Sequence, residues 1–457
     1  MASLRRDLGV WGAASIVVGT VIGSGIFLVP RKMILEVGDP ATVFAVWVFG
    51  GLLSLAGALT YAELSAMMPE AGGEYNYLRA AYGPFWGFLY GWTQMWVAKS
   101  GSIATLATGF FYYLANFRPE LEARAFLIPV PLGDGGGPLE VRIGQLWAIG
   151  VILGLAALNW FGVRIGGGVQ VGVTVLKVAL IAGIIAFGLA GGHAPAAAGA
   201  PVAATGGVVG FFAALVAALW AYDGWNNVSM VSSEVKSPQK NLPRALVFGT
   251  AGVVAIYLLT NYAYFHVLTA AEVAGSDRVA ATMMQRVVGT WGADAVSVAA
   301  MISIFAALNG SILSGSRVPY ALARDGYFFQ RFARVNEKHA TPGFSILALS
   351  AWSAVLVLSG RYDQLLTLVI FPSWILYGMA TAAVIVLRRK MPGAARPYRT
   401  VGYPVVPALF VLVAVLLVYF TLRNSPRESG LGLVLIAAGL PFYRYWNRRL
   451  RNRPAER

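Results

Sequence analysis

The chain has 457 residues, of which 58% are hydrophobic and 12% charged, with a mean hydropathy of +0.66; a typical soluble domain is about 45–50% apolar and about 25% charged. This excludes an ordinary water-soluble globule, and the formal charge of +15 does not indicate nucleic acid, because the basic residues gather in alternate loops of an apolar chain. Cysteine is absent, which excludes disulfides, a thiolate nucleophile, iron–sulfur ligation and a cysteine zinc site.

At the N-terminus, Arg5, Arg6 and Asp7 precede an apolar run from Leu8. The run continues past signal-peptide length without an A-x-A cleavage site, so it reads as the first spanning helix. Stretches long enough to cross a hydrocarbon core of about 30 Å then recur, and the pattern predicts spans at 8–35, 43–68, 82–116, 144–161, 168–190, 207–232, 243–268, 292–320, 343–359, 363–388, 402–422 and 430–446. An even number puts both ends on one side. Arg317, Arg324, Arg331, Arg334 and Lys338, then Arg388, Arg389, Lys390, Arg396 and Arg399, and finally the tail from Arg444 all fall on that side, which the positive-inside rule makes cytoplasmic. The opposite segment 191–206 carries no Lys, Arg, Asp or Glu. The expected location is a prokaryotic cytoplasmic membrane. His193 and His339 fall in predicted loops and His266 near a helix end, as solvated or interfacial imidazoles rather than a metal centre.

Two spans are poor choices for helices that merely cross. Span 1 contains Gly19-Thr-Val-Ile-Gly23-Ser24-Gly25-Ile-Phe27, with Pro30 soon after, and span 6 contains Trp220-Ala-Tyr222-Asp223-Gly224-Trp225-Asn226-Asn227. Glycine costs a helix about 1 kcal/mol relative to alanine, and an aspartate at mid-membrane at least about 2.5 kcal/mol. Gly/polar interruptions at corresponding places in two halves point to a transporter of inverted-repeat build, its site where both helices unwind. For span 1 the competing explanation is close packing through small residues; a carboxylate and two amides in span 6 are not needed for packing.

An unwound helix offers amide N–H groups to an anion and carbonyl oxygens to a cation. An α-amino acid carries one group of each sign, so two facing breaks could read its common part whatever its side chain. In this reading the amides of Ser24, Gly25 and Ile26 take the carboxylate, the carbonyls of Trp220, Ala221 and Ile22 take the ammonium, and Gly23 and Gly25 let a ligand approach the main chain. Tyr222, Asp223 and Gly224 complete the candidate set. Lys99 in span 3 and Lys177 in span 5 lie deep in apolar sequence, and each needs carbonyls, a carboxylate or water. A functional or ion-mimicking role suits Lys177, whereas Lys99 is equally well explained by a structural hydrogen bond.

Several long motifs occur in order: GTVIGSGIF in span 1, GALTYAELSAMMPEAGGEYNYLRAAYGPFWGFLYGW across spans 2 and 3, WAYDGWNNVSMVSSEVKSPQKNLPRAL from span 6, NGSILSGSRVPYALARDG in span 8 and RPYRTVGYPVVP after span 10. Together they resemble the amino acid–polyamine–organocation superfamily, nearest to its L-type amino acid transporter branch, over almost the whole chain. The resemblance implies an all-α polytopic fold of 5+5 inverted-repeat helices, at 8–190 and 207–388, with discontinuous helices 1 and 6. Two more helices at 402–446 and a basic cytoplasmic tail at 447–457 follow, all in one transmembrane domain working by alternating access. It implies that Trp220 gates the substrate and that the Lys177 ammonium occupies the place where sodium-coupled relatives hold an ion, bridging span 1 to the polar stretch of span 8 at Asn309, Ser311 and Ser314. Two departures stand out. Asp223 replaces the small residue of many L-type members, and a cysteine-free chain cannot form the disulfide to a single-span partner that their animal members use.

The expectation is a sodium-independent carrier of neutral L-amino acids, by exchange or proton symport, with no cofactor, no metal and no nucleic-acid partner, as a monomer or weak homo-oligomer. The alternative is a proton-coupled carrier of cationic amino acids or polyamines with Asp223 as counter-charge. An embedded enzyme finds no nucleophile–base pair or metal motif in the spans, and a channel finds no filter sequence.

Overall fold

The computed structural model describes residues 4–128, 139–192, 202–358 and 362–452. His193, most of the uncharged 191–206 segment and the last five residues of the basic tail lie outside the described residues. Each predicted span coincides with one helix or with consecutive helical segments. Span 1 is split into Val10–Val21 and Gly25–Val37, span 2 is Pro40–Met67, and span 3 runs as Pro84–Thr93, a π-helical turn Gln94–Ala98 and Lys99–Leu114. Spans 4 and 5 are Ile143–Trp160 and Val163–Ala190. Span 6 is Gly207–Tyr222 followed, after a gap, by the single turn Asn227–Met230, and span 7 is Pro238–Val267. Span 8 is Thr290–Gly315 continued by Arg317–Arg324, and spans 9, 10 and 11 are Gly343–Val357, Tyr362–Lys390 and Val405–Asn424. Span 12 bends between Pro426–Ala437 and Gly439–Arg451. Among the described residues, eight helices are long and apolar enough to cross a membrane, and Gly207–Tyr222 and Gly343–Val357 are shorter apolar helices. The chain is therefore an α-helical polytopic membrane protein.

Local chemistry sets the ends of several elements. Pro40 occupies the first turn of span 2, and the Thr42 amide donates to Asp39 Oδ1 at 2.8 Å, which satisfies one of the helix's unpaired N-terminal donors. Ahead of it Gly38, at φ +85°, closes span 1 in the left-handed conformation that glycine adopts without a Cβ penalty. Three short helices outside the spans, Glu74–Tyr82, Ala270–Gly275 and Val279–Val288, and the antiparallel hairpin of Arg124–Ile128 with Leu139–Arg142 are absent from the sequence-based expectation, because each is too short to give an apolar run.

Packing places both interruptions at the centre. The first half of span 1 lies against spans 5, 7 and 8, and its second half against span 6; span 2 lines span 7, and span 3 packs on span 8. Spans 11 and 12 sit outside this bundle against span 10. Ile22 and Ile26, flanking the first break, are fully buried.

The end of the molecule that holds the basic clusters is less solvated than the sequence implied. Arg317 makes a bidentate pair with Glu234, Nε–Oε1 2.7 Å and Nη2–Oε2 2.9 Å, with both side chains at most 1% exposed. Its remaining donors reach Leu313 O at 2.7 Å and Ser316 Oγ at 3.0 Å. Arg388 likewise grips Glu63 through Nε at 2.9 Å and Nη2 at 2.7 Å, with the amide and hydroxyl of Thr400 on the same carboxylate. The segment before span 1 joins this layer: the Leu8 amide donates to Glu234 O at 2.9 Å, and the Lys236 amide to Leu8 O at 2.8 Å. Glu234→Gln would leave the Arg317 charge buried and unpaired, so it should cost about 3–5 kcal/mol, read as a lower melting temperature in detergent. Pairing it with Arg317→Met should recover much of that loss.

Candidate functional site

The helix of span 1 stops at Val21, Ile22 adopts ψ +91°, and the helix restarts at Gly25 after Ser24. In span 6 the helix stops at Tyr222, Asp223 is extended at ψ +142°, and Gly224 takes φ +111° before the single turn at Asn227. Both predicted interruptions, at Gly23-Ser24-Gly25 and within Trp220–Asn227, are present, the second as a gap at 223–226, and they face each other. The Thr20 hydroxyl donates to Gly224 O at 2.9 Å, joining the first half of span 1 to the second break. Only glycine suits position 224, since its φ is positive and a Cβ there would lie 2.9 Å from Thr20 Oγ1.

A small cavity of about 20 Å³ lies between the breaks, lined by Thr20, Val21, Gly23, Ser24, Gly25, Ser102, Leu106, Trp220, Asp223, Gly224, Asn227 and Ser311. Of the residues expected at a substrate site, Gly23, Ser24, Gly25, Trp220, Asp223 and Gly224 line it, and Ser311 joins them from span 8. Thr20 and Asn227 from the two breaks and Ser102 from span 3 also line it, unanticipated because the sequence does not show how the helices are rotated about their axes. The first amides of the restarted helix, including those of Gly25 and Ile26, have no intrahelical acceptor, so a carboxylate in this cavity would meet helix N-terminal donors.

Ile22, Ile26, Ala221 and Tyr222 stand behind the cavity wall rather than in it. Ile22 O accepts from Lys177 Nζ at 2.5 Å and from Ser303 Oγ at 3.0 Å. Ala221 O accepts from the Tyr257 hydroxyl at 2.9 Å. Tyr222 is turned away towards span 2, its hydroxyl donating to Trp47 O at 3.1 Å and its ring edge-on to the Trp47 ring. Trp220 O accepts from the Asp223 amide at 3.1 Å. The three carbonyls expected to hold an ammonium are thus already engaged by protein donors, because unpaired carbonyls in an apolar interior are costly; side chains satisfy Ile22 and Ala221, and the Asp223 amide satisfies Trp220.

Lys177 meets span 1 as expected, with Nζ on Gly19 O at 2.7 Å as well as on Ile22 O. The span 8 group that shares the Ile22 carbonyl is Ser303, not the 309–314 stretch. Asn309 accepts from Asn159 Nδ2 at 2.8 Å and donates to Gln170 Oε1 at 2.8 Å, tying spans 4, 5 and 8 together, and Ser314 donates back to Gly310 O of its own helix at 2.7 Å. The polar run pointed to the right helix, but its rotation presents Ser303 to the break.

Lys99 also reaches a break. Its Nζ donates to Asn227 Oδ1 at 2.6 Å, next to Asn226, whose amide meets buried Glu74. Glu74 further accepts from the Tyr90 hydroxyl at 2.9 Å and the Ser229 hydroxyl at 3.3 Å. The π-helical turn Gln94–Ala98 ends directly before Lys99, and π turns of this kind recur at functional sites. From span 10, Tyr377 donates to Asp223 Oδ1 at 3.0 Å, so the aspartate ties two helices together while facing the cavity.

The glycines carry both explanations considered for span 1. A Cβ on Gly19 would fall 2.0 Å from Gln170 Nε2 of span 5, which is close packing, whereas Gly23 would meet nothing nearer than Leu106 Cδ2 at 3.1 Å. At Gly25 a Cβ would lie 2.7 Å from both Cα and Cβ of Ala221. The space saved there is taken by the main chain of span 6, rather than left for a ligand alone. Gly25→Ala should therefore force the two breaks apart, lower stability by about 1–3 kcal/mol and weaken every ligand of the cavity alike; ligand-dependent thermal shifts across a panel of amino acids check this, and selective loss of the largest ligands would contradict it.

The family model "Amino acid permease" matches residues 8–438. The chain is 34% identical to the serine/threonine exchanger SteT of Bacillus subtilis, the alignment covering 96% of each protein. It is 32% identical to the b(0,+)-type amino acid transporter 1 of Homo sapiens, over 96% of this chain and 88% of that one. The human cystine/glutamate transporter is 29% identical over 96% of this chain and 85% of its own length. With a fold of apolar helices, two facing interruptions and a family match over nearly its whole length, the chain belongs to the amino acid permease family.

Proposed function

We propose that this protein carries neutral L-amino acids across a membrane by sodium-independent exchange, with the cavity between the two breaks as the substrate site. The observation that carries the reading is the Lys177 ammonium seated on Gly19 O and Ile22 O. An ammonium brings one positive charge and three donors to carbonyls that would otherwise suit a monovalent cation. The relatives named as exchangers and transporters of amino acids support the reaction class. Spans 1–5 and 6–10 act as inverted repeats in this reading, with both ends of the chain cytoplasmic and the working unit free of a disulfide-linked partner. The family's members named above are transporters rather than enzymes, and the same is proposed here.

In liposomes preloaded with amino acid, replacing external sodium by choline at constant pH should leave uptake unchanged. Lys177→Ala should lower it at least about tenfold, since the buried Gly19 carbonyl loses its side-chain donor and Ile22 O keeps only Ser303, and one such loss is worth about 1–3 kcal/mol. Steep sodium dependence of the unmutated protein would overturn the role given to Lys177.

Asp223 facing the cavity is the observation that favours the second reading, transport of cationic amino acids or polyamines. Its bond to Tyr377 argues that the carboxylate serves the bundle as well as any ligand. Asp223→Asn should then reduce uptake of neutral and cationic amino acids together; a loss confined to arginine and lysine would select the second reading.

A further inference from the structure

Span 12 ends in the helix Gly439–Arg451, whose two faces differ in kind. One face is fixed by aromatic contacts. Phe442 stacks on Trp92 of span 3 with centroids 4.7 Å apart, Tyr443 stacks on Tyr327 at 5.9 Å, and buried Trp446 packs against Phe328 at 5.5 Å. With that face held, helical spacing turns Arg444, Arg448 and Arg449 outward together, and all three are exposed. Among the described residues none of the three forms a side-chain hydrogen bond or ion pair. Other guanidiniums at this end of the bundle have acidic partners, Arg317 with Glu234 and Arg388 with Glu63. Like charges at i and i+4 destabilise a helix, so Arg444 and Arg448 call for an anion from outside the described chain.

The apolar surroundings indicate which anion. A notch of about 160 Å³ between this helix and the turn after span 8 is lined by Gly326, Phe328, Phe329, Tyr445, Trp446 and Arg449. Arg449 also borders an open groove shared with Arg444, Tyr445 and Arg448. Phe329 and Tyr445 are 56% and 57% exposed. Exposed rings beside cations at the end of an apolar span suit the bilayer interface, where headgroups meet hydrocarbon.

We propose that the groove binds one anionic glycerophospholipid, its phosphate held by Arg444, Arg448 and Arg449 and the start of an acyl chain laid in the notch against Phe329 and Tyr445. The site is separate from the cavity between the breaks. Guanidinium donors match phosphate oxygens in geometry and charge. A bound phosphate removes the repulsion between Arg444 and Arg448, and a ligand that binds only the folded chain stabilises it.

The test uses the full chain stripped of lipid in detergent, titrated with phosphatidylglycerol or with phosphatidylcholine of the same acyl chains, and followed by native mass spectrometry and melting temperature. Phosphatidylglycerol should be retained as a single adduct and raise the melting temperature, whereas phosphatidylcholine, whose choline cancels the phosphate charge, should do neither. Arg444→Gln/Arg448→Gln/Arg449→Gln should weaken phosphatidylglycerol binding at least about tenfold, since each basic side chain at an anionic lipid surface is worth about fivefold. Lys236→Gln/Lys240→Gln/Arg244→Gln removes the same charge from exposed positions elsewhere and should leave binding unchanged. Equal loss in the two triple variants would reduce the effect to diffuse attraction, and equal binding of the two lipids would reduce it to apolar contact. The same stabilisation by inorganic phosphate would make the groove a site for any small anion. Each of these results overturns the proposal. If the first triple variant does not fold, Arg449→Gln alone decides, because this residue borders both notch and groove: weaker phosphatidylglycerol binding supports the proposal and unchanged binding overturns it.

Discussion

Main-chain hydrogen bonding inside an apolar environment is the constraint on which the rest of this structure depends. A helix that stops in the middle of the bundle leaves carbonyls and amides unpaired where no bulk water can satisfy them. This protein stops two helices at the same place and finds a donor for many of the exposed acceptors. Lys177 takes Gly19 and Ile22, Ser303 shares Ile22, Tyr257 spans Val21 and Ala221, and Thr20 takes Gly224. Spans 5, 7 and 8 each send a polar group to one spot, and the cavity is the space they enclose.

The same logic accounts for the charges. Where a carboxylate or guanidinium is withdrawn from water it is paired or heavily hydrogen-bonded, as in Glu234 with Arg317, Glu63 with Arg388 and Thr400, and Glu74 with Tyr90, Asn226 and Ser229. Buried pairs of this sort add little net stability compared with apolar packing, but breaking one is costly, so they hold segments in register. Glu234 illustrates this: its side chain fixes the end of span 8, and its main chain pairs with Leu8 ahead of span 1. The layer it belongs to lies at one end of the bundle.

Much of the architecture was legible in the residues. Apolar runs gave the spans to within a few residues because a hydrocarbon core demands them, and the breaks showed because Gly23, Gly25, Asp223 and Gly224 are costly inside a spanning helix. Lys177 stood out for the same reason, as a charge that required partners. The short helices and the hairpin between spans left no such mark. Nor did Tyr257 or Ser303, since a tyrosine and a serine are unremarkable in a membrane helix until a carbonyl is found opposite.

What the sequence determined by itself was therefore the set of groups that needed satisfying: twelve apolar segments, two interruptions, two deep lysines and one deep aspartate. What only the tertiary structure decided was who satisfies whom. The rotation of span 8 offers Ser303 rather than Asn309 or Ser314 to the first break, and the path of span 7 brings one hydroxyl to both helix ends. The contact of span 6 fills the space that Gly25 leaves. Each of these turns on a few ångströms of axial rotation and close approach, which are fixed by the packing of whole helices against one another and are not written in any local stretch of residues.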